Sequence, residues 1–314
     1  MSTFLVWLFP IFSGVADAVA QTTMRLTKAH RFLLLAFGHL FAIPFYLVWW
    51  AYAGGSVLHW TFWVVIAIHV PLWAIALTLI VESRRIAPLT LTTPLQSVLM
   101  VLLLALSPLA GTGTPNGWGA LGILILTFGL YVTVMSGAKA DGERLGFLEP
   151  VRRVATDRGS RLMLYAQGIS AITANLDLLA LRRASAPVYL LVDHALIALV
   201  AAGLAVGYRR RHRMTEVEAE WRGSAFAFAL FGAATALGVI AQMLALQWLQ
   251  NVPYAVAGKR GGMIAFTFFA GLLISSGWWF GSRQAGERED LRYRIIGTLL
   301  VLLGMLAIVF WGKA

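Results

Sequence analysis

Apolar residues occur in ten stretches along the chain, each close to the length that crosses a membrane as a helix. An α-helix rises 1.5 Å per residue, so about 20 apolar residues span a hydrocarbon core of about 30 Å. The predicted spans are Phe4–Met24, Phe32–Ala53, Trp60–Val81, Ile86–Leu109, Trp118–Met135, Leu162–Leu181, Pro187–Tyr208, Ser224–Leu249, Pro253–Trp279 and Ile295–Trp311. The third and fourth spans are separated only by a short predicted turn at Glu82–Arg85, so an alternative is one bent element.

The composition indicates an all-α integral membrane protein. Hydrophobic residues make up 59% of the 314 residues and charged residues 12%, a balance that excludes a soluble globular domain. The first apolar run has no basic segment before it and no small-residue cleavage site after it, so we interpret it as a span and not as a signal peptide. The chain has no Cys, which excludes disulfides, thiol catalysis and thiolate metal sites.

The positive charge is concentrated on one side of the predicted membrane. Of the 25 Lys and Arg residues, 20 lie in the segments that follow odd-numbered spans. The positive-inside rule therefore predicts that these segments are cytoplasmic and that both termini are extracytoplasmic, in a cell (inner) membrane. The net charge of +11 is explained by anionic lipid beside these segments, so nucleic acid is excluded as a partner.

The longest connection, Gly137–Ser160, divides the chain into two similar halves. It carries both charge signs and Pro150, which is typical of a linker, and we expect residues 137–160 to be cytoplasmic. Residues 1–136 and 161–314 are then five-helix repeats, and IFSGVADAVAQTTMRLTKA in the first resembles GISAITANLDLLALRRASA in the second. Because five is odd, the repeats are inverted, and such repeats form a site at their interface near the midplane.

Three charged side chains within the spans are candidate substrate-binding or coupling residues. Lys259 and Arg260 lie roughly 10 Å into the ninth span if Pro253 occupies its first turn. Asp17 lies near the middle of the first span, where a carboxylate must be paired, protonated or facing a cavity. The alternative for Lys259 and Arg260 is that they snorkel to the nearer interface and only anchor the helix.

Three further polar residues are weaker candidates. Asn175 lies close to the position in the second repeat that corresponds to Asp17. Asp193 and His194 lie in the second turn of the seventh span, where a helix-end charge or a structural hydrogen bond explains them as well as proton relay does.

Other intramembrane polar residues are interpreted as structural. Asp177 is close enough in sequence to Arg182 and Arg183 for an ion pair at the end of the sixth span. His39 and His69 are single histidines on apolar faces, which are more often satisfied structural residues than ligands.

The chain resembles the drug/metabolite transporter superfamily, in particular its ten-span EamA-like branch. The resemblance rests on five plus five spans with a short hairpin within each half, AIALTLIVESRRIAPLTLTTPLQSVL and VIAQMLALQWLQNVPYAVAGKRGGMIAF. Locally, VADAVAQTTMRLTKA and VPYAVAGKRGGM are similar to motifs of the small multidrug resistance transporters. The resemblance implies that Asp17, which replaces a glutamate of that family, competes for a proton and a substrate.

The chain contains no H-E-x-x-H, G-x-S-x-G or Walker motif, so we expect neither an enzyme nor an ATPase, and neither a cofactor nor a metal. The sequence therefore predicts about ten transmembrane helices that form a secondary transporter. We expect it to work by alternating access, and we favour export over import. The expected substrate is a small organic metabolite or drug, with an anion or zwitterion favoured over a cation and with proton coupling as one option. The alternatives are a lipid or lipid-linked head-group flippase and an intramembrane lipid-modifying enzyme, and the protein is expected to be a monomer or homodimer.

Overall fold

The structure, a computed structural model, is built almost entirely of α-helices. It describes residues 3–23, 30–55, 58–87, 92, 94–135, 139–140, 143–144, 146, 148–212, 225–275 and 288–312. The helices are α1 (Thr3–Thr23), α2 (Arg31–Ala53), α3 (Trp60–Ile86), α4 (Val98–Leu109), α5 (Gly117–Met135), α6 (Glu149–Arg153), α7 (Arg158–Leu181), α8 (Ala186–His212), α9 (Ala225–Leu249), α10 (Val252–Ser275) and α11 (Arg288–Trp311).

The lengths and compositions of these helices identify a multi-pass membrane protein. Within the described residues, seven helices are long and apolar enough to cross a membrane, namely α2, α3, α5, α7, α8, α9 and α11. Two shorter apolar helical stretches, Leu5–Ala20 and Val98–Leu109, accompany them.

The predicted turn at Glu82–Arg85 is wrong. These residues continue α3, which ends at Ile86. Ala87 then adopts an extended conformation, with φ −129° and ψ 150°. Ala87 precedes Pro88 in the sequence, and the proline ring disfavours the helical conformation of the residue before it. Within the predicted fourth span, Thr92, Pro94 and Leu95 are helical, a turn follows at Gln96 and Ser97, and α4 begins at Val98. Residues 88–91 and 93 of this span lie outside the described residues.

The second half of the chain begins with α7, four residues before the predicted span. Asp157 caps this helix by accepting a hydrogen bond from the backbone N–H of Ser160. Before it, Lys139–Ala140 and Glu143–Arg144 form a two-stranded antiparallel pair, β1 and β2. The predicted boundary at residues 136 and 137 lies outside the described residues, as do Arg25, Lys28, Arg213, Arg222, Arg283 and Lys313.

Glycines allow α5 and α11 to pack with their backbones in close contact. Gly122 faces the carbonyl oxygen of Gly304, and a Cβ at Gly122 would lie 2.8 Å from that oxygen. Seven residues along α5, Gly129 meets the carbonyl oxygen of Gly297, at 2.7 Å from the position of a Cβ. Small residues at such contacts let membrane helices approach until their backbones touch, which maximises van der Waals packing.

Five other helix pairs make extensive contacts: α3 with α7, α1 with α9, α2 with α8, α1 with α10, and α2 with α9. At the α1 and α10 contact, Gly14 lies against the backbone of Lys259 and Met263, and Gly262 lies against the backbone of Ile11. This contact brings together the two helices that carry Asp17 and Lys259.

Candidate functional site

An ion pair joins α1 to α10. The Nζ atom of Lys259 lies 3.8 Å from Oδ2 of Asp17, and the two side chains are 25% and 28% exposed. The pair forms because Gly14, one turn before Asp17, has no side chain to hold α10 away. The structure therefore brings two of the predicted site residues together.

The pair lies within the length of both helices, away from their ends. Gly14 is about 16 Å along α1 from Thr3, which is near the middle of that helix, and the carbonyl of Lys259 contacts it there. Lys259 is about 10 Å along α10 from Val252, and Pro253 occupies the first turn as expected. Charge at this depth is expensive, and membrane proteins retain it mostly for function.

Helix α9 forms a third side of this site. Gly238 packs against the Cβ of Ala16, the carbonyl of Ser13 and, at 3.7 Å from the position of a Cβ, the backbone nitrogen of Asp17. Gln242 is one turn further along the same face of α9. The Oε1 atom of Gln242 and the Oγ atom of Ser13 are buried and have no hydrogen-bond partner in the part of the chain that the structure describes.

Arg260 does not join the pair. Consecutive side chains leave a helix about 100° apart, so Lys259 and Arg260 face different directions. Among the described residues, Asp17 pairs with Lys259 and not with Arg260. Arg260 is half-buried on α10.

A second polar cluster lies between α3, α7 and α8. The ring of His69 contacts a carboxylate on each side: Nδ1 lies 2.9 Å from Oδ1 of Asp193, and Nε2 lies 3.1 Å from Oδ1 of Asp177. The hydroxyl of Tyr189 donates a hydrogen bond to the same Oδ1 of Asp177. His69, Asp193 and Tyr189 are all buried.

The cluster continues onto α2 through His194. Its Nδ1 lies 2.8 Å from Nδ1 of His39, and its Nε2 lies 3.2 Å from the hydroxyl of Tyr46. All three side chains are buried. We call the seven residues of both parts the proton network; they are His39, Tyr46, His69, Asp177, Tyr189, Asp193 and His194.

The interpretation of Asp177 as the ion-pair partner of Arg182 or Arg183 is wrong. In the described residues Asp177 contacts His69 and Tyr189. Arg182 instead donates to the carbonyl of Gly111, and Arg183 donates to a carbonyl within its own helix. Sequence separation explains the error, because the true partner of Asp177 lies more than 100 residues away on α3.

His39 and His69 are not isolated histidines on apolar faces. Each contacts a titratable side chain on α8, which the sequence does not reveal because α2 and α3 precede α8 by more than 100 residues. Their position within apolar spans was the sequence signal that could have predicted these contacts, because ionisable groups within membrane spans usually pair with one another.

Asn175, a predicted site residue, makes structural hydrogen bonds. Its Nδ2 donates to the carbonyl of Ala171 at 2.6 Å, and its Oδ1 accepts from the hydroxyl of Thr112. Thr112 also accepts a hydrogen bond at its carbonyl from the backbone N–H of Val252. Asn175 thereby ties α7 to the segment between α4 and α5 and to the start of α10.

A cleft of about 490 Å³ opens where α2 ends, α8 begins and α9 ends. Its lining combines two indole rings with small and polar groups from these helices: Trp49, Ala53, Ser185, Ala186, Pro187, Leu244, Gln247 and Trp248. Within the described residues, no group of three His, Asp or Glu side chains is arranged to hold a metal ion.

The overall fold is shared with a known structure. A solved structure described only as "Crystal structure of protein" superposes on the chain with a TM-score of 0.67. The superposition covers 98% of this chain and 96% of the other, with 16% sequence identity, so the similarity concerns the fold alone. No family model and no curated protein matches the chain.

Proposed function

We propose that the protein is a secondary-active transporter built from two inverted repeats, α1–α5 and α7–α11. The helix contacts support this arrangement. In these repeats α1 to α5 correspond, in order, to α7 to α11. The contact of α1 with α9 then corresponds to the contact of α7 with α3. The contact of α1 with α10 corresponds to the contact of α7 with α4. The α2–α8 and α5–α11 contacts are unchanged by the exchange, as expected for helices that meet on a two-fold axis.

The Asp17–Lys259 ion pair is the observation that carries the proposal. Asp17 belongs to the first half and Lys259 to the second, so the pair lies between the two proposed repeats. In transporters of inverted repeats, substrate sites lie at this interface near the midplane. Movement of one half against the other would open the pair, which suits a site that a substrate must enter and leave.

Opposite charges about 4 Å apart suit a zwitterionic substrate. Its carboxylate would replace Asp17 beside Lys259, and its ammonium group would replace Lys259 beside Asp17. Each charge of the site then keeps a partner, which matters because an unpaired charge within a membrane-spanning helix is costly. A monovalent anion would instead separate Asp17 from Lys259, so Asp17 would have to take up a proton.

The substrate class can be identified by testing which compounds protect the purified protein against thermal unfolding. Neutral amino acids, lactate and tetraphenylphosphonium serve as the zwitterionic, anionic and cationic probes. We expect the amino acids to raise the unfolding temperature of the purified protein, since a ligand that binds the folded state stabilises it. In proteoliposomes the same probes are tested for exchange against the unlabelled compound.

Variants distinguish the zwitterion from the anion. Asp17→Asn and Lys259→Gln should each reduce exchange of the zwitterion by about tenfold or more, because each removes one charge contact. Arg210→Gln, which removes an exposed charge from α8, is the matched control. If Asp17→Asn keeps full exchange, the substrate is an anion. The transport proposal fails if no probe class either stabilises the protein or exchanges faster than in protein-free liposomes.

A further inference from the structure

The contacts of His69 fix how many protons its part of the proton network holds. Both ring nitrogens lie within hydrogen-bond distance of a carboxylate oxygen. A neutral imidazole has only one N–H, and an ionised carboxylate has no donor. Two hydrogen bonds therefore need two protons shared by the ring of His69 and the carboxyl groups of Asp177 and Asp193.

The charge of these three groups follows directly. If both protons are on the ring, one imidazolium faces two carboxylates. If one proton is on a carboxyl group, a neutral ring and a neutral acid face one carboxylate. Both arrangements carry a net charge of −1, and both lie within an apolar bundle. One additional proton would neutralise the three groups, which favours its uptake in a site of low dielectric constant.

His39 and His194 hold a further shared proton. Their Nδ1 atoms lie 2.8 Å apart, so one nitrogen donates and the other accepts. The hydroxyl of Tyr46 lies beside the ring of His194 and can donate or accept as its tautomer changes. Because Asp193 and His194 are consecutive on α8, the two parts of the network are adjacent.

The cleft lies at the end of the network that is nearer the surface. On α2, Trp49 of the cleft is one turn from Tyr46, on the same face. On α8, Tyr189 is one turn from Ala186 of the cleft, and Asp193 and His194 are one further turn along the helix. The members of the network that lie nearest the cleft are therefore Tyr46 and Tyr189.

Within the described residues, no Lys or Arg forms an ion pair with Asp177 or Asp193. The titratable groups beside His69 are Asp177 on α7 and Asp193 and Tyr189 on α8. Those beside His194 are His39 and Tyr46 on α2 and, further away, His69 on α3. Helix α9, which packs against α2 and α8, contains no titratable residue.

We propose that the proton network binds and releases a proton through this cleft, and that proton binding changes the access of solvent to the cleft. This site is separate from the Asp17–Lys259 pair, since the two involve different helices. Its role in a transport cycle rests on the proposed function, whereas its protonation does not. The network would then supply the proton coupling, while Asp17 and Lys259 hold the substrate.

The first test measures protonation directly in the full-length wild-type protein. The chain has only six histidines, so labelling with ¹⁵N-histidine gives a resolvable spectrum in lipid nanodiscs. The proton that the network gains lies on the ring of His69 or on the carboxyl group of Asp177 or Asp193, so ¹³C-aspartate labelling accompanies the ¹⁵N-histidine labelling. We expect at least one of these three signals, each assigned by its loss in His69→Gln, Asp177→Asn or Asp193→Asn, to change with pH. Signals of all three residues that stay constant between about pH 5 and pH 9 would overturn the proposal.

The second test measures the cleft and needs no substrate. Because the chain has no native Cys, Gln247→Cys reports the cleft and Tyr52→Cys, 89% exposed on α2, reports the outside. The reaction rate of Gln247→Cys with a methanethiosulfonate reagent is divided by that of Tyr52→Cys at the same pH.

We expect this ratio to change by about threefold or more between pH 6 and pH 8, and His69→Gln or Asp193→Asn to remove the change. A ratio independent of pH in the protein with native His69 would contradict the proposal. Both tests stand whether or not flux is detected, so their failure is distinct from failure of the transport function.

Discussion

The Nδ1 atom of His39 on α2 lies 2.8 Å from the Nδ1 atom of His194 on α8. Two such nitrogens cannot both carry a proton at this distance, so the pair holds one shared proton and cannot be doubly charged in this geometry. The contact also ties α2 to α8, the self-paired helices of the proposed two-fold arrangement.

Replacing one member of this pair should destabilise the protein. In His39→Ala, the Nδ1 atom of His194 loses its partner in a buried site, which costs about 1–3 kcal/mol. The expected result is a lower unfolding temperature in detergent, measured by light scattering or intrinsic fluorescence. His59→Ala changes an exposed histidine and should have a smaller effect. Equal losses for the two variants would show that the His39–His194 contact adds no stability.

The packing of α5 against α11 gives a second prediction. A Cβ at Gly304 would lie 2.5 Å from the carbonyl oxygen of Gly122 and 2.7 Å from the backbone nitrogen of Leu126. Gly304→Ala therefore forces two backbones apart, and overpacking of this kind costs about 1–3 kcal/mol.

Gly203 provides the matched control, because it lies in helix α8 with open space around its Cβ position. Gly203→Ala should be neutral or stabilising by up to about 1 kcal/mol, since alanine restricts the unfolded chain. Thermal unfolding of both variants checks the prediction. A Gly304→Ala variant as stable as Gly203→Ala would contradict the close contact of α5 and α11.

The sequence could predict the helices because their signal is local. A run of about 20 apolar residues has to cross the membrane as a helix, whatever the rest of the chain does. The ends were harder to predict: α7 extends into a polar segment because Asp157 caps it, and α3 continues until the residue before Pro88.

The candidate site was only partly predictable, for a physical reason. The depth of Asp17 and Lys259 in apolar spans marked them as candidates, and the structure shows that they meet. The partners of Asp193 and His194 could not be predicted, because they come from α2 and α3. Such contacts depend on how helices pack, and packing depends on small residues spread along the whole chain.

Asn175 should affect stability and not substrate binding. In Asn175→Ala, the Thr112 hydroxyl loses one of its two acceptors, and α7 loses its tie to the segment after α4. The expected cost is about 1–2 kcal/mol, measured as a fall in unfolding temperature. Thr267→Ala, which removes an exposed hydroxyl bonded within its own helix, should have almost no effect. A loss of ligand protection in Asn175→Ala at unchanged stability would return Asn175 to the substrate site.

The orientation of the chain in the membrane can be tested with single cysteines. The positive-inside rule predicts that the end of α2 is extracytoplasmic and that α6 is cytoplasmic. Tyr52→Cys on α2 and Val151→Cys on α6 are 89% and 55% exposed in the native residues, so both thiols should be accessible to water or the interface. A membrane-impermeant maleimide should label Tyr52→Cys in intact cells and Val151→Cys only after permeabilisation. The reverse pattern would invert the predicted orientation.

The Asp17–Lys259 pair predicts an energetic coupling between its two members. Asp17→Asn leaves Lys259 without its carboxylate, and Lys259→Met leaves Asp17 without its ammonium group, so each single variant should be less stable than the wild type. The double variant has neither charge and should recover part of the loss. Since both side chains are about a quarter exposed, the coupling energy should be near the usual range for contacting residues, about 0.5–3 kcal/mol.

A double-mutant cycle of unfolding in detergent measures this coupling. The matched cycle combines Asp17→Asn with Arg260→Met, which removes a neighbouring cation that does not face Asp17, and should give losses that simply add. The effect of substrate supplies the decisive comparison, because a zwitterion that replaces both partners should protect the wild type and fail to protect the double variant. Additive losses in the first cycle would mean that the contact of Asp17 with Lys259 does not contribute measurably to the stability of the protein.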